Sequence, residues 1–293
     1  TEVANMIIEK IDRILNDNIF EGINIHYFGG EPLLNIPVLI YLDENIKKIT
    51  DKIGIVYKAF LTTNGSMLSK ELLQKVKFSS IQLTFDGLEK THDRLRVSDH
   101  FHFKEEIELI ENIMNFSQAK VLLRTNICKE NKDEIIALHK YIFEKFGNER
   151  IEINPNRTIK YHQDDSFEML SVQEYAEVAY QIKLLWSEQK GKFELPVPRS
   201  TPCKFPYGNA YAISPEGYCT FCSGSMDQEK KYFFDVDIEN KKMFSVRKEC
   251  KKCNILPLCL GGCIIQYNLR AGACTYEKYE LKNILISYIK HIS

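Results

Sequence analysis

Ile23-Asn24-Ile25-His26-Tyr27-Phe28-Gly29-Gly30-Glu31-Pro32 is the stretch on which the fold turns. Its first six residues include β-branched and aromatic side chains and read as a strand. Gly29-Gly30 then permits a tight turn with positive φ, and a helical pattern follows through about Lys52. Strand, small-residue turn and helix make one β/α unit, and the unit recurs. Strands are predicted at Val56–Leu61, Ser80–Phe85, Lys120–Ile127 and Ile151–Asn154, with helices beginning at Ser69 and spanning Lys104–Phe116 and Asp133–Phe146. A long amphipathic helix runs from about Val172 to Gln189. Upstream, Val3, Met6, Ile7, Ile11, Ile14 and Leu15 recur at three- and four-residue spacing, as on one buried helix face.

Alternation of this kind implies right-handed crossovers and a parallel sheet with helices outside. The pattern holds five strands but opens on a helix, so the first strand of a barrel reads as removed. Parallel α/β barrels carry their chemistry at the C-terminal ends of the strands. The small and polar tetrads fall there: Gly29-Gly30-Glu31-Pro32, Thr62-Thr63-Asn64-Gly65, Thr84-Phe85-Asp86-Gly87, and the triplet Arg124-Thr125-Asn126. Each alone reads equally as an ordinary turn. Strand ends of one barrel converge on one mouth, which makes the set more informative than its members.

With 293 residues, the chain can bury one large domain or a domain with an appendage. The 39 basic and 40 acidic residues leave no field that would attract nucleic acid. Its apolar runs are too short to cross a bilayer, and no signal peptide is evident, although the chain opens at Thr1 without a Met. Pro196-Val197-Pro198 reads as a linker, Ser214-Pro215-Glu216-Gly217 as a hairpin turn between Asn209–Ile213 and Tyr218–Phe221, and Lys278–Ile292 as a closing helix.

Eight of the nine cysteines lie between Cys203 and Cys274, with Cys128 apart. Crowding at one end of a large Lys/Ile-rich chain favours metal ligation in a reducing compartment over a disulfide framework. Cys250 and Cys253 are separated by two residues, which lets two thiolates converge from one turn. Pro257, Gly261 and Gly262 allow tight folding around Cys259 and Cys263. Spacing alone leaves zinc and iron–sulfur open, since each needs thiolates in this number.

The array Cys203…Gly217…Cys222…Cys250-x2-Cys253-x5-Cys259-x3-Cys263…Cys274 resembles the seven-cysteine SPASM signature. The barrel motifs resemble the radical S-adenosylmethionine (SAM) family in order and spacing: Gly29-Gly30-Glu31-Pro32 its glycine-rich motif, Thr63-Asn64-Gly65 its third-strand motif, and Thr84-Phe85-Asp86-Gly87 with His92-Asp93 and Arg96 a segment typical of SPASM enzymes. The family's Cys-x3-Cys-x2-Cys loop has no counterpart, and its place would be just before Thr1. The join at Asp99-His100 is also shorter than the family pattern.

The resemblance implies an α/β fold, a partial (β/α)6 TIM-like barrel lacking its first strand and cluster loop (1–195), followed by a C-terminal SPASM iron–sulfur domain (196–293). It implies SAM contacts by Gly29, Gly30, Glu31, Asn64, Thr84, Asp86, Arg96 and Asn126, with Thr84 and Arg96 on the SAM carboxylate. Two auxiliary [4Fe–4S] clusters would be held by Cys203, Cys222 and Cys263, and by Cys250, Cys253, Cys259 and Cys274. A third, radical SAM cluster would be held by the segment before Thr1. Cys219 is extra; positions three apart on a strand face opposite ways, so it is expected to be a core thiol, as is Cys128. The implied activity is modification of a ribosomally made peptide through a 5′-deoxyadenosyl radical, most simply a thioether or carbon–carbon cross-link. Formylglycine formation in sulfatases is the alternative within the class, and a cluster- or zinc-stabilised peptide-binding scaffold the alternative outside it. Implied partners are a peptide or protein substrate and an electron donor such as flavodoxin or ferredoxin, in the cytoplasm, with no nucleic acid and no membrane. No residue identifies itself as a catalytic acid or base.

Overall fold

The computed structural model describes residues 2–17, 19–147, 150–160, 167–200, 203, 210–220, 231–232, 246–263 and 274–292. It divides into two compact units, one of residues 1–127 and 131–156, the other of residues 128–130 and 157–293. The long amphipathic helix α7 (Val172–Lys190), placed by the resemblance within the barrel span 1–195, clusters with the second unit, where it packs on the C-terminal helix Glu277–Ile292.

In the first unit, α1 (Glu2–Asp17) precedes β1 (Gly22–Tyr27), α2 (Ile36–Ile53), β2 (Val56–Thr62), α3 (Lys70–Lys75) and β3 (Phe78–Thr84). Then come α4 (Glu89–Leu95), α5 (Phe103–Phe116), β4 (Lys120–Ile127), α6 (Ile135–Phe146) and β5 (Ile151–Arg157). The strands lie in the order β1-β2-β3-β4-β5, and β1 to β4 pair in parallel. A doubly wound sheet reverses its strand order at a switch point. Here the order simply follows the chain, which is the winding of a barrel wall and matches the expected partial TIM-like architecture.

Alternation along the strands sorts their side chains. Ala59, Leu61, Ile81, Leu83, Val121 and Leu123 are all 0–1% exposed on the face toward the helices. The opposite face is polar, carrying Asn24, His26, Thr62, Ser80, Gln82, Thr84, Arg124 and Asn126 in register. Side chains bridge strands across it: His26 Nε2 lies 2.8 Å from Thr62 Oγ1, and Asn154 Nδ2 donates to Gln82 Oε1 at 3.0 Å. The register of β2 against β3 shifts between Ala59 and Phe60.

Local chemistry sets the helix ends. Asn35 Oδ1 accepts the Val38 N–H at the start of α2, Pro37 occupies its first turn, and Gly54 ends it at φ 82°. Pro155 sits inside β5, which is tolerable because β5 is the last strand in the sheet order of the described residues.

In the second unit, Ser171 and Glu174 form a capping box at the start of α7. On its contact with the C-terminal helix, Lys183 Nζ donates to both oxygens of the buried Glu280 at 2.6 and 2.8 Å. The Tyr175 and Tyr276 rings meet edge-on with centroids 5.2 Å apart. Strands β6 (Ala212–Ile213), β7 (Tyr218–Thr220) and β8 (Lys231–Tyr232) form an antiparallel sheet. The expected hairpin turn is present, with Gly217 at φ 87° donating its N–H to the Ser214 carbonyl at 2.9 Å. Asn209, Phe221, Tyr207 and Cys222 lie outside the described residues.

Candidate functional site

The C-terminal ends of the parallel strands are tied together by two carboxylates. After β1, Glu31 caps the short 3-10 turn Pro32–Asn35 by accepting the Leu33 N–H on Oε1 at 3.0 Å. The same oxygen accepts the Thr63 hydroxyl at 2.7 Å, and Oε2 accepts the Asn64 N–H at 2.7 Å. Glu31 thus fastens the turn after β1 to the turn after β2. Gly29 is at φ 146°, and no heavy atom lies within 4 Å of where a Cβ on Gly29 or Gly30 would stand. Their backbone is exposed and open to close approach. Gly65 is the opposite case. It is at φ 87°, and a Cβ there would meet Leu109 Cδ2 at 2.5 Å.

Asp86, beyond β3, is the second hub. Its Oδ1 accepts the Asn126 N–H at 2.9 Å, joining the end of β3 to β4. Its Oδ2 lies 3.4 Å from Arg96 Nη1, and its carbonyl accepts from Asn131 Nδ2 at 2.8 Å. Arg96 keeps 29% of its side chain exposed beside the buried Asp86, so the carboxylate orients a guanidinium that still faces outward. Thr84 is buried, paired in register with Arg124, whose Nε donates to Asn126 Oδ1 at 2.9 Å. The structure therefore joins Glu31 with Asn64, and Asp86 with Arg96 and Asn126. Gly29, Gly30 and Thr84 stand at the same strand ends.

Two residues that the motifs did not single out, Asn131 and Glu106, complete the arrangement together with the motif residue His92. Asn131 is 1% exposed and bridges the Asp86 and Asn126 carbonyls. Glu106 and His92 are each 2% exposed, with Glu106 Oε2 3.8 Å from His92 Nε2. The Asp86 N–H donates to His92 Nδ1 at 3.4 Å, so the ring proton sits on Nε2 and faces Glu106. Burial pushes Glu106 up to about 8 and pulls His92 down to about 4, with the Arg96 charge a smaller influence on both. Near neutrality this pair is uncharged. A helical signal for Glu106 did exist: it lies three residues from Phe103 and four from Ile110, on the apolar stripe of α5.

In the second unit, Cys250, Cys253, Cys259 and Cys274 line one cavity with Arg247, Gly261 and Lys278. Cys250 ends a short 3-10 turn, and Cys259 ends the one-turn helix Leu256–Cys259. Three successive residues with positive φ follow: Leu260 at 46°, Gly261 at 87° and Gly262 at 70°. A Cβ on Gly262 would stand 2.3 Å from Thr275 Cγ2, so glycine is required where the two cysteine segments touch. Donors surround the sulfurs: Gly261 N–H to Cys259 Sγ at 3.4 Å, Arg247 Nη2 to Cys250 Sγ at 3.8 Å, and Lys278 Nζ to Cys274 Sγ at 3.8 Å.

None of the eight described cysteines is in a disulfide. Among the described residues no three Cys, His, Asp or Glu side chains converge on one metal ion. Four thiolates around one cavity are the number that either a tetrahedral zinc ion or a four-iron cluster takes. Cys203 and Cys263 are half-buried, whereas Cys219 is 2% exposed and burial pushes its thiol up to about 11. That environment suits the core thiol expected at Cys219, and Cys128 is likewise buried.

A singly wound β/α barrel wall with polar strand ends is the class this chain defines. No protein-family model matches it, and no curated protein does. Solved structures do match in fold. The structure of anSMEcpe, an anaerobic sulfatase-maturating enzyme, with bound AdoMet and Kp18Cys peptide aligns with TM-score 0.70 at 18% identity, over 99% of this chain and 89% of that one. The same enzyme with AdoMet alone gives 0.69 at 16% identity, over 98% and 90%. Streptococcus suis SuiB bound to S-adenosylmethionine gives 0.57 at 17% identity, over 89% and 66%. The chain shares the fold of these solved structures. No described helix is long and apolar enough to cross a membrane.

Proposed function

We propose that this chain is the barrel (1–195) and SPASM domain (196–293) of a radical SAM enzyme that modifies a peptide or protein. The observation that carries this reading is the single cavity lined by Cys250, Cys253, Cys259 and Cys274, with N–H and cationic donors on three of the sulfurs. Four thiolates suit a [4Fe–4S] group, and the likeness of the whole cysteine array to the SPASM signature favours it over zinc. Cys203, Cys222 and Cys263 would hold the other auxiliary cluster. The third, SAM-binding cluster would be held by a Cys-x3-Cys-x2-Cys segment, a spacing that residues 1–293 do not contain.

Once SAM and that third cluster are bound, the chemistry they supply is reductive cleavage to methionine and a hydrogen-abstracting 5′-deoxyadenosyl radical. This chain's own residues then bind and orient. Bare backbone at Gly29-Gly30 approaches the SAM amino group, and Glu31 holds that turn against Asn64. Thr84 and Arg96 take the SAM carboxylate, with Asp86 fixing the guanidinium and Asn126 lining the cofactor. A mouth built on strand ends rather than on long loops positions a reactive intermediate with little freedom.

The product proposed is a thioether or carbon–carbon cross-link in a ribosomally made peptide, with formylglycine formation as the related outcome. The partners are that peptide and an electron donor such as flavodoxin or ferredoxin, in a reducing cytoplasm. Iron, acid-labile sulfide and zinc content of anaerobically purified protein tests the reading. About eight irons per chain with matching sulfide support two auxiliary clusters, and SAM binding by equilibrium dialysis supports the barrel assignment. Stoichiometric zinc without sulfide overturns it and leaves the zinc-stabilised scaffold.

A further inference from the structure

Arg247 stands where two cysteine turns meet. Its Nη2 donates to the Gly261 carbonyl at 2.6 Å and lies 3.8 Å from Cys250 Sγ, and its Nε is 3.3 Å from Glu249 Oε1. The Gly261 N–H in turn donates to Cys259 Sγ at 3.4 Å. One guanidinium therefore touches one sulfur directly and grips, through a single peptide, the turn that supplies a donor to another. Its side chain is 27% exposed, which places the charge in a partly dehydrated setting where it acts more strongly than at the surface. The second cation, Lys278, approaches Cys274, the one exposed cysteine of the four.

We propose that Arg247 is a positioning residue that sets the reduction potential of the group held by Cys250, Cys253, Cys259 and Cys274. This rests on the reading that those cysteines hold a [4Fe–4S] cluster. Reduction adds one electron to the cluster with no bond made or broken. A positive charge and hydrogen bonds at the sulfurs stabilise the more negative, reduced form and raise the potential. Arg247 does both.

Arg247→Gln and Arg247→Lys are compared with the unaltered protein, each reconstituted anaerobically. Iron and sulfide are counted, and a dithionite titration with mediator dyes is followed by electron paramagnetic resonance. The expected result for Arg247→Gln is unchanged iron and sulfide with a more negative midpoint. At the unaltered protein's midpoint its reduced-to-oxidised ratio should fall about tenfold, equivalent to ~59 mV for a one-electron couple. Arg247→Lys, keeping the charge without the planar fork, should lie between the two. An unchanged midpoint in fully loaded Arg247→Gln overturns the proposal. If Arg247→Gln fails to load, Arg247→Lys decides. A midpoint more negative than the unaltered value supports the proposal, and one equal to it or more positive overturns it. Absence of sulfide in the unaltered protein is a separate outcome, which overturns the cluster reading and the proposal together.

Discussion

Replacing Glu106 by Gln should remove a pH dependence that the buried Glu106–His92 pair builds into stability. Folding raises Glu106 from 4.5 to about 8 and lowers His92 from 6.5 to about 4, chiefly by burial. A carboxyl raised on folding contributes stability that is complete below its unfolded value and is lost as pH climbs through its folded value. A histidine lowered on folding works the other way, and its penalty is relieved as pH rises to 6.5. Between pH 4.5 and 6.5 the two slopes oppose and nearly cancel. From pH 6.5 to about 8 only the carboxyl still titrates differently in the two states. One and a half pH units at about 1.4 kcal/mol each give a loss of about 2 kcal/mol. Gln does not titrate, so E106Q should lack this slope from pH 6.5 to 8, whereas below that range the buried His92 and His139 still make stability rise with pH. Urea denaturation followed by far-UV circular dichroism at half-unit pH steps measures both curves. The infrared carbonyl band of a protonated carboxylic acid, present in the unaltered protein and absent in E106Q, checks the cause. A variant that loses the same 2 kcal/mol over pH 6.5–8 would refute the assignment to Glu106.

Three further outcomes are expected. Asp86→Ala leaves the Asn126 N–H without its 2.9 Å acceptor and Arg96 without its carboxylate; stability should fall by about 1–3 kcal/mol, with SAM affinity falling in equilibrium dialysis. Gly65→Ala forces a side chain into φ 87° with its Cβ 2.5 Å from Leu109 Cδ2; a cost of about 1–3 kcal/mol in urea denaturation follows. Glu280→Ala removes a carboxylate that is 4% exposed from a lysine that is 35% exposed. Because water partly screens Lys183, the loss in thermal denaturation should be about 1–2 kcal/mol, below the range of a fully buried pair.

Much of the barrel wall was legible because its strands obey simple rules. β1 to β4 were placed within a residue or two, since runs such as Val121–Leu123 and Ile81–Leu83 are rich in residues that suit a half-buried strand. β5 was cut short at Asn154 because Pro155 ordinarily ends a strand, and only its place at the end of the sheet order lets it continue to Arg157. The helix Glu89–Leu95 escaped notice because it is short and polar, with His92 as its one buried side chain. Strand β8 escaped because Lys231–Tyr232 is too brief to carry a period. At the site, Glu31, Asp86 and Arg96 were visible as motif members, but what they do was not. Glu31 spends its oxygens on Thr63 and Asn64, and Asp86 spends one on the Asn126 backbone. Those are contacts between residues 32, 33 and 40 apart in the chain, which no local pattern encodes.

By itself, then, the sequence determined the β/α alternation, the polar character of the strand ends and the cysteine spacing, because each depends on neighbours within a turn or a strand. Only the tertiary structure decided that the strands wind in one direction, that Glu106 and His92 face each other in the dry core, and that Cys250, Cys253, Cys259 and Cys274 share a cavity with Arg247. Those depend on the packing of distant segments, where burial rather than spacing sets the chemistry of a carboxyl, an imidazole or a thiol.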